Sequence, residues 1–328
     1  MKHLIRPPIL ILCLSLSMLC TQPALAWDSV GHRLSAAVAI HYIGEELRGD
    51  LLRLLQQHPR YEEDFLEQMP NSIASGTEHD RAVWLLGQAA FWPDIARGLP
   101  EADRERFNQP NWHYIDGAWL RGQATRQGNT YLGVSPRPDI PGSANTDQID
   151  NVMAALDYNG ALLADERTPA AQRAVALCWL LHLVADIHQP LHAGSLYSAT
   201  RFRSGDRGGN GVETDEGNLH ARWDRALRSE GINASLDAVL DQHGATLEAM
   251  ADTDDGDWSL WLHESRALLL NTVYTEEMKS AILAADANGD SLPNFTLDRN
   301  YVEAMRYHAG MRLALAGRRL ALWFDENL

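Results

Sequence analysis

His182 and Asp186 stand four residues apart in Leu180-Leu181-His182-Leu183-Val184-Ala185-Asp186, and the spacing recurs at His220 and Asp224 in Asn218-Leu219-His220-Ala221-Arg222-Trp223-Asp224. On a helix this spacing puts both side chains on one face. Imidazole nitrogen and carboxylate oxygen are zinc ligands, so each pair is a usable half-site. A single pair is equally a surface ion pair or a buried His–Asp hydrogen bond. The first pair, however, sits in an apolar run, where unpartnered polar groups are costly. A further histidine, His192, follows in Ile187-His188-Gln189-Pro190-Leu191-His192, where Pro190 should end the helix near Gln189 and turn His192 back beside it. His113 lies in Asn111-Trp112-His113-Tyr114-Ile115-Asp116, and Asp94 in Phe91-Trp92-Pro93-Asp94. Taken alone, Asp94 reads as a turn residue. His41, His58, His79, His243 and His308 lack a ligand-spaced partner and read as surface or satisfied core residues. His188 reads as a group that orients a ligand or caps the helix, and His263 stays unassigned.

One more nitrogen depends on processing. Lys2, His3 and Arg6 form a basic start, Ile9 to Leu19 is apolar but too short to span a bilayer, and Ala24-Leu25-Ala26 is a small-x-small cleavage site. Residues 1–26 are therefore expected to be a signal peptide, with an uncleaved anchor as the alternative. Leu19 before Cys20 argues against a lipoprotein. Cleavage would free the α-amine of Trp27, which can bind a metal together with its own carbonyl oxygen, with His32 close enough to join. The expected location is periplasmic or secreted.

The remaining 302 of 328 residues suffice for one large domain or two small ones. Candidate ligands lie on both sides of every loop, so one domain over 27–328 is expected, as a monomer. Cys13 and Cys20 leave with the leader, so Cys178 can form no intrachain disulfide. Its neighbours Ala176, Leu177, Trp179 and Leu180 make it a buried apolar residue. Bound metal is then the physical candidate for bracing the fold. The net charge of −16 becomes −18 once Lys2 and Arg6 are gone, which argues against a broad basic face that grips nucleic acid. It does not argue against phosphate chemistry at a metal cluster, where bound cations dominate the local field. No later segment has about 18 uninterrupted apolar residues, so no membrane span is expected.

The elements that must position these groups read as helices. Leu34, Val38, Ile43, Leu47, Leu51, Leu54 and Leu55 give helical periodicity over 32–58. Residues 150–165, 170–188, 218–229, 235–250, 258–270, 275–285 and 299–324 behave alike, and strand-like alternation is scarce. The Gly-, Pro- and Asn-rich stretch 121–147 and the glycine-rich stretch 198–217 read as loops. The fold class is all-α, mainly helical.

In this order the motifs resemble the S1/P1 nuclease family of zinc-dependent single-strand nucleases and 3′-nucleotidases. The resemblance covers the whole of 27–328. It is carried by Trp27 with Gly31-His32, Trp92-Pro93-Asp94, Asn111-Trp112-His113-Tyr114, the string from His182 to His192, Asp206 to Asn210, Asn218 to Asp224, and Trp261 with Glu264-Ser265. It implies a phospholipase C/P1 nuclease-like single domain with three zinc ions. Asp94, His113, His182 and Asp186 would hold one, and Trp27 and His32 the second, with Asp186 bridging. His192, His220 and Asp224 would hold the third. Asp28 stands where the family often has Gly and Pro93 where Ala is common; the disulfides of fungal and plant members cannot form.

Such ions lower the pKa of bound water and neutralise phosphate charge in the transition state. The resemblance implies catalytic roles for Asp94 and Asp186, with Asp94 orienting the attacking water. It implies an exported phosphodiesterase that cleaves single-stranded DNA or RNA to 5′-phosphate products and also takes 3′-nucleotides. Tyr114 and Asp116 resemble the family's base pocket, by stacking and by edge hydrogen bonding, although Tyr114 reads equally as a core aromatic. Asn210 and Arg121 are further substrate contacts. The rivals are a zinc phospholipase C, whose last pair is HxxxE rather than His220-x3-Asp224, and a non-catalytic zinc-binding protein.

Overall fold

The computed structural model describes residues 27–115, 129–134, 149–227, 231–250 and 256–328. Asp28 accepts from the amides of Val30 and Gly31 and so starts α1 (Ser29–Tyr42). The helix expected over 32–58 is in fact two, because Ile43 and Gly44 take extended backbone before α2 (Glu45–Leu55). Glycine costs about 1 kcal/mol inside a helix, and extending Ile43 lets its side chain enter the core, where it is buried. Three helices escaped the periodicity: α3 (Asn71–Ala74), α4 (Glu78–Ile95) and α5 (Glu101–Phe107). A capping box opens α4, with Thr77 accepting from the Asp80 amide and Asp80 accepting from the Thr77 amide. Pro93 is tolerated near the end of α4, and Asp94 is a helical residue there, not the turn residue its local sequence suggested.

Asn151 caps α6 (Val152–Ala164), and α7 (Ala170–Ile187) runs from Pro169 to His188, just before Pro190. Asn218 caps α8 (Leu219–Asp224), which stops five residues short of the expected end at 229. The later helices are α9 (Ile232–Met250), α10 (Trp258–Leu268), α11 (Glu276–Asn288) and α12 (Arg299–Asn327). In and at the edges of the stretches read as loops lie short strands. β1 (Thr130–Leu132) pairs in parallel with β2 (Leu196–Ser198), and β3 (Glu213–Thr214) pairs antiparallel with β4 (Gly217–Asn218). The expected signal peptide and most of 121–147 lie outside the described residues. The architecture is all-α, as the periodicity implied.

Helix α7 is the hub. Every residue from Ala176 to Ile187 is buried, and α7 packs against α6, α4, α1, α2 and α12. By length and composition it is the one helix among the described residues that could cross a membrane; here its apolar faces are covered by the other helices. Burial of each of its leucines contributes roughly 1.5–3 kcal/mol. Cys178 is fully buried on it, as expected. α1 lies between α12 and α4. At Gly317 of α12 a Cβ would come within 2.5 Å of the Ser35 carbonyl oxygen, so only glycine permits that helix–helix approach. This packing brings one face of α1, the end of α4 and the end of α7 together.

Candidate metal centre

His32 comes from α1, Asp94 from α4, and His182 and Asp186 from successive turns of one face of α7. The turn after Gln109 forms the 3-10 segment Pro110–His113, and Pro190 opens a second one, Pro190–His192. α8 carries His220 and Asp224. All eight of these side chains are buried. Their ligand atoms form three groups, each drawn within 4.8 Å: His32, His182 and Asp186; Asp94, His113 and His182; His192, His220 and Asp224.

Asp186 joins the groups. Its Oδ2 lies 3.1 Å from His182 Nε2 and 3.2 Å from His113 Nδ1, and its Oδ1 lies 3.6 Å from both His32 Nε2 and His192 Nδ1. The His32 ring stacks on His182 at 3.8 Å. Trp27 is fully buried and its indole N–H donates to the Ala185 carbonyl at 2.9 Å, next to Asp186. The Asp28 amide donates to the Asp224 carbonyl at 3.3 Å, which ties the start of the described chain to the third group. Gly31 leaves room for the indole, since a Cβ there would sit 2.8 Å from Trp27 Cβ.

Backbone carbonyls set the imidazole orientations. Nδ1–H of His182 donates to Ala90 O at 2.8 Å, that of His192 to His113 O at 2.6 Å, and that of His220 to Gly208 O at 2.7 Å. With Nδ1 protonated, a neutral ring presents a lone pair at Nε2. His192 Nε2 and His220 Nε2 then face each other at 3.2 Å, with Asp224 Oδ2 3.4 Å from the latter. Two lone pairs and a carboxylate converging on one point repel unless a cation lies among them. Gly208 permits the His220 contact. It adopts φ +58°, and a Cβ there would meet the Leu191 carbonyl oxygen at 2.1 Å.

Both ring nitrogens of His32, His113 Nε2, both Asp94 oxygens and Asp186 Oδ1 are buried with no hydrogen bond. Arg97 does lie 2.8 Å from Asp94 Oδ1 as an ion pair, but without well-directed hydrogen-bond geometry. Buried orphans of this kind are costly, and a cation would satisfy them together. Electrostatics agree. Burial pushes the Asp186 carboxyl up, but the imidazoles of His182 and His192 outweigh it and hold the group well below the usual carboxylate range. Burial lowers His113 to about 4 and His32 well below its ordinary value, so both are neutral ligands at pH 7. Burial likewise pushes the Asp224 carboxyl well up, a penalty that an adjacent cation reverses. The mixed nitrogen and carboxylate donors suit zinc.

Other expectations fare differently. Tyr114 is 39% exposed, so it is not a core aromatic. The Asn210 amide N–H donates to Arg207 O at 2.8 Å, and its carbonyl oxygen lies 3.4 Å from Asn218 Nδ2. Asp116 and Arg121 lie outside the described residues. His41, His79 and His263 are exposed and His308 is half-buried. His58 and His243, expected at the surface or satisfied, are instead buried with unpaired nitrogens: Nε2 of the first, both of the second. His58 is accommodated by the edge of Trp92 at 4.3 Å, and its Nδ1 accepts from the Arg60 amide.

Sequence reasoning missed the supports. Gln189 donates to Asp224 Oδ1 at 2.7 Å and accepts from the Leu191 amide, linking α8 to the turn that carries His192. Behind that turn, Arg312 and Arg319 of α12 meet Glu264 of α10. His188 donates to Val184 O and its Nε2 accepts from Arg319, so it belongs to this network and not to the ligand groups. Two arginines seven apart on the buried side of a long helix were the available signal.

The chain matches the S1/P1 Nuclease family over residues 27–328. It is 24% identical to Nuclease S1 of Aspergillus oryzae, across 77% of this chain and 85% of that protein. It is 33% identical to Endonuclease 3 of Arabidopsis thaliana, across 72% and 67%, and 25% identical to Endonuclease 1 of the same plant, across 71% and 64%. The all-α architecture, the gathered His/Asp groups and the family match over 27–328 lead to one conclusion: the chain belongs to the S1/P1 nuclease family and is a hydrolase of nucleic acid.

Proposed function

We propose that this chain is an exported, zinc-dependent endonuclease of single-stranded DNA or RNA that leaves 5′-phosphate ends and also acts as a 3′-nucleotidase. The observation that supports it most is the convergence of lone pairs and orphaned carboxylate oxygens on one buried pocket. Asp94, His113, His182 and Asp186 would hold one zinc. Trp27, through amine and carbonyl after cleavage at Ala26, would hold a second with His32, Asp186 bridging. His192, His220 and Asp224 would hold the third. The family match begins at Trp27, which agrees with maturation there. Residues 27–328 then act as a single-domain monomer, periplasmic or secreted.

Bound zinc supplies Lewis-acid charge neutralisation and a water of lowered pKa. The chain's own part is positional. Asp94, beside Arg97, orients the attacking water by accepting its proton in a hydrogen bond. Asp186 stays ionised because the surrounding imidazoles favour its charge. Tyr114, half-exposed beside His113, offers a face on which an unpaired base stacks; Asp116, Asn210 and Arg121 complete the substrate contacts. Entry of a single base disfavours duplex, which must unstack first.

Metal analysis of the processed protein, with parallel assays on single-stranded DNA, duplex DNA, a 3′-mononucleotide and phosphatidylcholine vesicles, tests this. Three zinc ions with cleavage of single strands are expected. Hydrolysis of the lipid alone, or zinc without any hydrolysis, would overturn it.

A further inference from the structure

A separate cavity of about 490 Å³ lies between α1, α4 and the start of α9, lined by Arg33, Ile73, Val83, Trp84, Ile232 and Ala234 among others. That volume falls within the range of small-molecule sites. Its walls are mainly apolar, with the Trp84 indole among them. Gly87 lets the Arg33 stem lie along α4, since a Cβ there would sit 3.3 Å from Arg33 Cγ. Gln88 accepts from Arg33 Nη2 and in turn donates to the Asp64 carbonyl, which fixes the guanidinium from below. The guanidinium lies 5.8 Å from the Trp84 ring and 5.6 Å from that of Phe91.

All of these partners are neutral. Among the described residues no carboxylate reaches ion-pair distance of Arg33. Asp80 also lines the cavity, but its Oδ2 is engaged by the amide and hydroxyl of Thr77. Holding a cation away from bulk water among neutral partners alone is costly. In a chain with net charge −16, an Arg33 left without one of the many carboxylates is set apart for an anion from outside. The indole beside it favours a planar, apolar body on that anion.

We infer that the Arg33–Trp84 cavity is a second ligand site, distinct from the His/Asp pocket, for a phosphate monoester carrying a planar base, the chemistry of a mononucleotide. Arg33 pairs with the phosphate and Trp84 packs on the base. The identity of the ligand rests on the proposed nuclease reading, because such monoesters are the end-products of that reaction; the existence of an anion site does not.

The test is calorimetric titration of the zinc-loaded protein with adenosine 5′-monophosphate, alongside inorganic phosphate and adenosine. Two equivalents of the nucleotide are expected for the parent. Arg33→Gln should weaken one of them at least about tenfold, the loss of one charge-assisted hydrogen bond. Trp84→Leu should weaken the nucleotide but spare inorganic phosphate. Ala234→Phe narrows the cavity while leaving Arg33 in the sequence and should abolish the same equivalent, which guards against a folding defect in either other variant. One equivalent in the parent, or isotherms unchanged in Arg33→Gln and Ala234→Phe, would overturn the inference. Two equivalents in a protein that cleaves no nucleic acid would sink the nuclease reading and leave this site standing. Binding of inorganic phosphate at Arg33 with no gain from the base would reject the mononucleotide assignment.

Discussion

Replacing Arg312 with methionine should cost this protein both stability and metal. Arg312 is 3% exposed. Its Nε donates to the His188 carbonyl at 3.2 Å, its Nη2 to the Trp261 carbonyl at 3.0 Å and to Ser265 Oγ at 2.7 Å, and its Nη1 to Glu264. Methionine fills similar space but donates nothing. Each bond from a charged group is worth about 1.5–3 kcal/mol, partly offset because a buried charge no longer needs desolvating. The net is about 3–5 kcal/mol, the range for breaking a buried ionic network from one side. At about 2–4 °C per kcal/mol for a large domain, melting should fall by on the order of 10 °C. Slackening also reaches the metal pocket, because His188 is two residues past Asp186 and four before His192. Loss of outer support of this kind weakens metal binding about 10–100-fold. Thermal melting and a chelator competition read the two effects. A methionine variant that melts and retains zinc like the parent would refute the reasoning, and Arg312→Lys, which keeps charge without the fork, should fall between. Acid acts on the same network. Burial raises the Glu264 carboxyl, but Arg319 and Arg312 outweigh it and depress its pKa. Its contribution is therefore complete above the unfolded value of about 4.3 and lost as pH falls through the lower folded one.

Three further outcomes are expected. Asp186→Ala should empty the two groups it touches and abolish hydrolysis of single-stranded DNA; full zinc content with activity would contradict the bridging role. One extra residue ahead of Trp27 should lower zinc stoichiometry by blocking the amine, and unchanged stoichiometry would remove Trp27 from the ligands. Burial holds His58 at about 3, so the unfolded chain binds a proton below about pH 6.5 that the folded one refuses. Stability should accordingly decline as pH drops from about 6.5 towards 3, and His58→Phe should flatten that slope; an unaltered pH–stability curve would show that His58 contributes nothing.

Much of this fold and site is legible in the sequence alone. The i, i+4 pairs on α7 and α8 were plain because helical spacing alone dictates which side chains share a face. Periodicity found α7 and α12, whose apolar faces are long. It missed α4, because Pro93 and the polar start Glu78-His79-Asp80-Arg81 hide an 18-residue helix, and so it misjudged Asp94. It also ran α1 into α2, since Leu47 and Leu51 continue the apolar pattern across the break at Gly44. The tautomers of His182, His192 and His220 could not be read, because each depends on a carbonyl from a remote segment: Ala90, His113 and Gly208. Nor could the burial of His58, which follows from long-range packing with Trp92 and Phe107.

Those three carbonyls have a consequence for how the molecule is built. None of the rings is aimed until α4, the 110–113 turn and the 205–209 loop have docked, so a half-formed chain has no tight place for an ion. Cations would then enter late, as a latch on a finished frame, and leave only when the frame opens. Their main effect should be to retard unfolding, with little influence on the speed of folding.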